Sequence, residues 1–227
     1  MAAASRRNSK DGWRKSGRSS KTRLVAPERH LIVCEGTQTE PLYFEGMRDA
    51  LDPRFRSRVH VVVKGTGLHT TDLFDFAVRQ YRKSANGFDH VWVVYDKDDF
   101  PEENFDSVVS KCESSKLDDC KMHALWSNPC FELWLLLHFG FTTAEMTSSE
   151  AIKRVDDAFN RNLDCSYSKT QKDLFDNLKN RLGEAEINSE KLFEWHRVQG
   201  NIKPSEMNPC TSVSEITRSL ADYIHKD

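Results

Sequence analysis

VWVVYDKDDF, residues 91–100, sets five apolar residues directly before a run of acidic side chains. A continuous apolar run of this length is typical of a strand buried on both faces of a parallel sheet. Side chains alternate along a strand, so Asp96 and Asp98 are expected to point to one side as the strand ends, with Lys97 opposite. Asp99 is one further acid in the run. The stretch therefore predicts a buried strand that delivers carboxylates to the edge of a sheet.

Three further apolar runs alternate with segments of helical spacing. They are HLIVC (30–34), VHVVV (59–63) and KMHALW (121–126). Helices are predicted between or after these strands, over residues 41–51, 72–83, 101–115 and 127–139. This alternation indicates an α/β fold with a mainly parallel sheet of about four strands, covered by helices on both faces.

From about residue 145 the pattern changes to successive helices with no strand signal. The predicted helices cover residues 148–162, 168–182, 189–198 and 208–224. The last is expected to be capped by Thr211 or Ser212, with Glu215 three positions after Ser212. The chain therefore divides into three predicted parts: a basic arm, an α/β domain and a helical C-terminal subdomain, over residues 1–28, 29–142 and 143–227.

Positive charge is concentrated at the start of the chain. Residues 1–29 hold nine Lys or Arg and two Asp or Glu, whereas the whole chain of 227 residues has a net charge of −2. This Ser-rich arm is expected to lack a core and to be disordered. It is either a solvated tail or an attachment to a polyanion such as nucleic acid.

Composition excludes several classes of protein. No run approaches the roughly 18 apolar residues of a membrane span, so no membrane partner is predicted. The start lacks the apolar segment of a secretory signal, and a cytoplasmic location is expected. The six cysteines form no CxxC pair, which predicts reduced thiols, several of them buried.

Glu35 follows the first strand just as the acidic run follows the third. Ligands bind beyond the carboxyl ends of parallel strands, so Glu35, Asp96 and Asp98 converge if these two strands are neighbours. Close carboxylates repel one another and need a cation, and oxygen ligands favour Mg²⁺, Mn²⁺ or Ca²⁺ over zinc. In the alternative interpretation, Asp98 and Asp99 are loop acids, solvated or capping the next helix.

Four stretches resemble, in order, the RloB family: HLIVCEGTQTEPLYFEG (30–46), VWVVYDKDDF, ALWSNPCFELWLLLHF (124–139) and NPCTSV (208–213). A strand followed by Glu-Gly and, about 60 residues later, a strand followed by Asp-x-Asp is similar to the Toprim fold of topoisomerases, bacterial primases and OLD-type nucleases. The RloB family is a Toprim-like group associated with restriction and phage-defence loci.

The resemblance implies a Toprim/Rossmann-like fold and a metal-dependent nuclease that hydrolyses DNA or RNA in bacterial anti-phage abortive infection. It implies Mg²⁺ or Mn²⁺ as cofactor and an ABC-type ATPase as partner, and a homo-oligomer is left open. By position, Glu35 matches the Toprim glutamate, a general acid/base or metal ligand. Asp96 and Asp98 match its metal-binding pair. Asp99 would support these two carboxylates without contacting the metal itself.

Three polar residues are secondary candidates for the same crevice. Glu40 lies near it if its loop folds back, or else is a helix-start acid favoured by the helix dipole. Glu132 stands among apolar neighbours, so it is either turned toward the metal or salt-bridged on a helix face. Asn128 either orients a phosphate or caps the helix that Pro129 starts, and capping is favoured.

Two lysines complete the candidate set. Lys64 opens the Gly-rich stretch KGTG (64–67), which would approach a phosphate or else form a tight turn. This stretch is not a Walker A loop, so ATP hydrolysis by the chain itself is not expected. Lys169 resembles a family lysine position and would neutralise a scissile phosphate, unless it is a solvated helix lysine.

A binding or sensor subunit is the alternative to a nuclease. In that interpretation the crevice binds metal or nucleic acid without cutting, and the chain acts by docking to its ATPase. Phosphotransfer of the HAD type is disfavoured, because it needs Asp-x-Asp near the first strand and here the motif follows the third.

Overall fold

The computed structural model describes residues 27–98 and 100–224. The predicted basic arm lies outside the described residues apart from Pro27 and Glu28. Asp99 also lies outside them, so its place in the acidic run stays a prediction.

A five-stranded sheet forms the centre of the fold. Its strands are β1 (Glu28–Cys34), β2 (Val59–Gly65), β3 (His90–Asp96), β4 (Lys121–Asn128) and β5 (Cys210–Thr211). The spatial order is β2-β1-β3-β4-β5, and only the β4–β5 pair is antiparallel. The predicted mainly parallel α/β sheet is confirmed, and β1 and β3 are indeed neighbours. The expectation of no strand in the C-terminal part is wrong, since β5 comes from it.

Eight α-helices accompany the sheet in the described residues. Their bounds are α1 (Thr39–Asp49), α2 (Thr70–Lys83), α3 (Glu102–Ser114), α4 (Glu132–Leu137), α5 (Ser148–Leu163), α6 (Leu174–Leu178), α7 (Leu182–Gln199) and α8 (Ser214–Leu220). The first three follow β1, β2 and β3, as the alternating pattern predicts. The last four confirm a helical C-terminal part, whereas α4 lies within the predicted α/β domain. The boundary proposed at residue 143 stays a prediction.

The two faces of β3 meet different helices. Tyr95 packs edge-on against Phe105 of α3, with ring centroids 5.2 Å apart. Asp96 is the next residue and therefore points to the opposite face. The register pairs Cys34 with Val94, so Cys34 shares the face of Asp96. Asp96 therefore lies on the face of the sheet opposite α3.

The helix predicted over residues 127–139 is shorter than expected. β4 continues to Asn128, the Asn128–Pro129 peptide bond is cis, and α4 begins only at Glu132. Pro129 therefore does not start the helix. Because the strand takes up Ser127 and Asn128, the chain needs the next three residues to turn from strand to helix.

The C-terminal helices also differ from their predicted bounds. Residues 168–173 precede α6 as turns, and α7 is one helix from Leu182 to Gln199. The prediction that Thr211 or Ser212 caps the last helix is wrong. Ser212 Oγ instead accepts a hydrogen bond from the Trp126 nitrogen at 2.9 Å and donates to Ala124 O at 3.2 Å. These bonds hold the chain beside β4 before α8 begins.

The helical part packs directly against α1. A Cβ added at Gly46 of α1 would lie 2.8 Å from Cβ of Phe175 in α6, closer than two carbon atoms can approach. Gly46 therefore allows α6 to lie against α1.

The N-terminus of α5 carries a capping box in which Thr147 and Glu150 satisfy each other's backbone amides.

The cysteines agree with the sequence analysis. All six are unpaired; Cys34, Cys112, Cys130 and Cys210 are buried. Across the part of the chain that the structure describes, no helix is long and apolar enough to cross a bilayer.

Candidate metal centre

The carboxyl ends of β1 and β3 bring Glu35 and Asp96 together. The backbone nitrogen of Glu35 donates to Val94 O at 2.9 Å, which continues the pairing of the two strands. The backbone nitrogen of Asp96 in turn donates to Glu35 Oε2 at 3.4 Å. The predicted convergence of these two acids therefore follows from strand pairing alone.

Asp96 is the last residue of β3, and one of its carboxylate oxygens is buried. Its Oδ1 is fully enclosed and has no hydrogen-bond partner. Burial, followed by the charges of Glu40, Asp98 and Glu132, raises the pKa of Asp96 well above its ordinary value, and the Phe131 amide opposes this. A carboxylate in such a place is either protonated or balanced by a cation.

Asp98 reaches the site by a different route from the one predicted. β3 ends at Asp96, and Asp98 has a positive φ of 32°, so strand alternation does not set its direction. Its backbone nitrogen donates to Pro129 O at 2.9 Å, and its Oδ1 accepts a hydrogen bond from Ser148 Oγ at the start of α5 at 2.5 Å. Asp98 remains exposed at the mouth of the site.

Glu40 is buried in the first turn of α1, with 7% of its surface exposed. Burial raises its pKa; the backbone amides of Glu40 and Gly36 oppose the rise, and the charge of Glu132 adds to it. The two interpretations of Glu40 are therefore compatible, because it is a helix-start acid that also lies in the crevice.

Glu132 is 2% exposed and lies in the first turn of α4. Its Oε1 accepts a hydrogen bond from the hydroxyl of Tyr167 at 2.9 Å and lies 3.4 Å from Lys169 Nζ. Burial lowers the pKa of Lys169, and the Glu132 carboxylate more than offsets this, so the pKa lies above its ordinary value. Glu132 is thus both turned toward the crevice and salt-bridged.

These residues surround one cavity of about 250 Å³. Five acids and one lysine line it: Glu35, Glu40, Asp96, Asp98, Glu132 and Lys169. Within residues 27–98 and 100–224, no three acidic, histidine or cysteine side chains are close enough to ligate one ion as they stand. A divalent ion would therefore have to draw the carboxylates together, and their mutual repulsion favours its entry.

A larger groove of about 780 Å³ adjoins this cavity. Asp98 and Lys169 line both, so the groove opens beside the acidic cluster. The start of α5 and Asn208 form part of its wall. The two side-chain amide atoms of Asn208 bond Met146 N and O at 3.2 and 2.9 Å, which fixes the approach to α5.

Asn128 has a structural role that neither interpretation anticipated. It is 3% exposed, and its Nδ2 donates to Pro204 O at 3.1 Å and Ser205 O at 3.2 Å. It does not cap α4, which begins four residues later. Its side-chain amide therefore ties β4 to the loop before β5.

Lys64 lies outside the acidic cavity. It is paired with Val33, whereas Cys34 on the face of Asp96 is paired with Gly65. Since side chains alternate, Lys64 points to the opposite face of the sheet. A Cβ at Gly65 would lie 2.7 Å from Pro41 Cγ and 2.9 Å from Gly36 O. The KGTG stretch is therefore glycine-rich so that it can pack against the loop after Glu35.

Tyr167 is a residue of this site that sequence reasoning missed. It stands alone between two serines, in a segment without regular structure, and carries no motif. Thr39, 3.4 Å from its hydroxyl, is the first residue of α1 and was also missed, because the sequence does not show that Tyr167 packs against it. Only the folding of this segment onto α4 and α1 brings Tyr167 to the acidic cluster.

The fold and the cavity define an α/β protein with an acidic site at the carboxyl edge of a parallel sheet. The chain belongs to the RloB-like protein family, whose profile matches residues 30–220. No curated protein and no solved structure matches the chain.

Proposed function

We propose that this protein is a Toprim-like, divalent-metal-dependent nuclease that hydrolyses phosphodiester bonds of DNA or RNA. The observation that carries the proposal is the enclosed, unpartnered Oδ1 of Asp96 in a cavity lined by four other carboxyl groups. Such a cluster is costly unless it binds a cation, and its oxygen ligands suit Mg²⁺ or Mn²⁺.

Glu35, Asp96 and Asp98 would hold the metal, with Glu40 and Glu132 completing its surroundings. When bound, a divalent ion supplies Lewis acidity and lowers the pKa of water. Glu35, which lines the cavity and is half-buried, would accept a proton from the attacking water. The water oxygen would form a bond to phosphorus as the bond from phosphorus to the leaving oxygen breaks. The leaving oxygen would then take up the proton held by Glu35 or a proton from solvent water.

Lys169 supports the proposal from the substrate side. It is the lysine that lines both the acidic cavity and the adjoining groove, so a nucleic-acid strand in the groove would pass its ammonium group. A positive charge beside the reacting phosphate stabilises the negative charge that develops in the transition state. Membership of the RloB-like family supports a role in abortive infection beside an ABC-type ATPase.

The test is cleavage of end-labelled single-stranded DNA, duplex DNA, RNA and tRNA by the full chain with Mg²⁺ or Mn²⁺. Each substrate is assayed with and without a candidate ABC-type ATPase partner, because a lone chain can be held inactive. We expect metal-dependent cleavage that Asp96→Ala abolishes. Cleavage that survives Asp96→Ala would contradict the assignment. Retention of nucleic acid without cleavage in every combination would support a non-catalytic sensor subunit.

A further inference from the structure

Tyr167 is fixed to α5 by both its backbone and its ring. It lies after the end of α5, where Asp164 turns the chain with a positive φ of 54°. The Tyr167 nitrogen donates to Asp156 Oδ1 at 2.9 Å. Its ring packs edge-on against the buried ring of Phe159, with centroids 5.5 Å apart. These contacts leave the hydroxyl group pointing away from α5.

The hydroxyl of Tyr167 joins two helices that carry acids of the cavity. It donates to Glu132 Oε1 of α4 at 2.9 Å and lies 3.4 Å from Oγ1 of Thr39, the first residue of α1. Because a phenol has one hydrogen and the carboxylate takes it, the Thr39 hydroxyl must be the donor in the second contact. Glu40 follows Thr39, so one hydroxyl group links the helix starts of Glu132 and Glu40.

The two groups that contact Glu132 Oε1 act differently. The ammonium of Lys169 opposes the carboxylate charge, whereas the phenol of Tyr167 is a neutral donor. Burial and the neighbouring Glu132 raise the pKa of Tyr167, so its hydroxyl keeps its hydrogen at neutral pH. A neutral donor fixes the direction of a carboxylate and leaves its charge available to a cation.

We propose that Tyr167 is a positioning residue of the acidic cavity, whose hydroxyl orients Glu132 relative to Glu40 for binding a divalent cation. This rests on the proposed function, since it requires that the cavity binds a metal. A role in packing alone would need only the aromatic ring, which phenylalanine also supplies. Removing a supporting hydrogen bond of this kind typically lowers metal affinity by about 10–100-fold.

The test is calorimetric titration of the full chain with Mn²⁺, comparing the wild type, Tyr167→Phe and Tyr81→Phe. Tyr81 is the matched control, because its hydroxyl also makes a hydrogen bond, to Asp118 O at 2.6 Å. Neither Tyr81 nor Asp118 lines the cavity. We expect Mn²⁺ affinity to fall about tenfold in Tyr167→Phe and to stay unchanged in Tyr81→Phe. The electron paramagnetic resonance spectrum of bound Mn²⁺ should change in the first variant only.

A double-mutant cycle with Glu132→Gln separates positioning from structure. If the hydroxyl acts through the Glu132 carboxylate, Tyr167→Phe should cost no further affinity once that carboxylate is gone. Equal affinity in the wild type and Tyr167→Phe, or losses that simply add in the cycle, would overturn the role of Tyr167 and leave the proposed function standing. Wild-type protein that binds no Mn²⁺, even with nucleic acid and the ATPase present, would overturn the proposed function and this role with it.

Discussion

Gly36 lies so close to Glu40 that a Cβ at position 36 would overlap both oxygens of the Glu40 carboxylate. The absence of a side chain after Glu35 therefore leaves the space in which a second acid of the cavity sits. This relationship explains why Glu-Gly, rather than Glu alone, follows β1. The colliding group is the end of a flexible side chain, so a larger residue would displace Glu40 rather than prevent folding.

Gly36→Ala is therefore expected to weaken Mn²⁺ binding about tenfold while the protein stays folded. The measurement is a calorimetric titration, with circular dichroism as the check on folding. Gly140→Ala is the matched control, since a Cβ there meets nothing within 4 Å. Unchanged affinity in Gly36→Ala would show that the position of Glu40 does not matter for the metal.

Asp96→Asn should stabilise the metal-free protein at about pH 8. The pKa of Asp96 is raised in the folded state, so ionisation favours the unfolded chain, and stability is lost as pH rises from the unfolded pKa through the folded one. A neutral amide removes this penalty. We expect Tm, measured in a chelator, to rise by about 3 °C, corresponding to about 1 kcal/mol.

Asp98→Asn is the control for this prediction. Because Asp98 is exposed, replacing its carboxylate removes less of the free-energy cost of burying a charge. A lower Tm for Asp96→Asn than for the wild type at alkaline pH would show that the ionised carboxylate is well accommodated without metal. In that case the enclosed oxygen would not be evidence for a cation.

The histidines at the opposite edge of the sheet from the acidic cavity should make the folded protein less stable in acid. His90 Nδ1 lies 2.9 Å from His123 Nε2, and His90 Nε2 lies 2.9 Å from Glu28 Oε1. Trp92 donates to His30 Nδ1 at 3.1 Å. Burial, and then the neighbouring His90, lowers the pKa of both His30 and His123 to about 4. Protonation below pH 6.5 therefore favours the unfolded chain, and stability falls as pH drops from 6.5 toward 4.

We expect this loss to be on the order of 2 kcal/mol in the wild type, measured by urea unfolding across that pH range. His123→Gln should make the pH dependence shallower, whereas the control His60→Gln, at an exposed position on β2, should leave it unchanged. Identical slopes for the wild type and His123→Gln would mean that this histidine carries none of the effect.

Lys169→Met should separate metal binding from catalysis. Removing a positive charge from the cavity is expected to preserve or strengthen Mn²⁺ binding. Cleavage should nevertheless fall about 100-fold, because the charge that stabilises the phosphate in the transition state is lost. Lys172→Met, at an exposed position three residues later, is the control. Parallel losses of affinity and cleavage in Lys169→Met would instead indicate that the lysine holds the site together.

The sheet and the pair Glu35–Asp96 could be predicted because both follow from local rules. Continuous apolar runs identify buried parallel strands, and strand ends place acids at one edge. The same rule gave the wrong location for Lys64, because the register of β2 puts this residue on the other face of the sheet. The sequence does not specify that register. Asp98 reaches the cavity through a positive φ beyond the strand, so alternation predicted its location for the wrong reason.

The contacts of Asn128 and the presence of Tyr167 at the site could not be predicted, because both depend on tertiary packing. Asn128 was interpreted as orienting a phosphate or, with preference, capping the helix after Pro129, but its partners are carbonyls 76 and 77 positions away. Tyr167 contacts Glu132 across 35 positions, from a segment without helical or strand periodicity. Both contacts depend on how the helical part lies against the sheet, which no local pattern records.

The metal site is tested most directly by calorimetric titration of the full chain and of the Asp96→Ala/Asp98→Ala variant with Mn²⁺. We expect saturable binding by the intact chain and none by the double variant. Equal binding by both proteins, or no binding by the intact chain even with nucleic acid and the ATPase present, would contradict the claim that these carboxylates form a metal site.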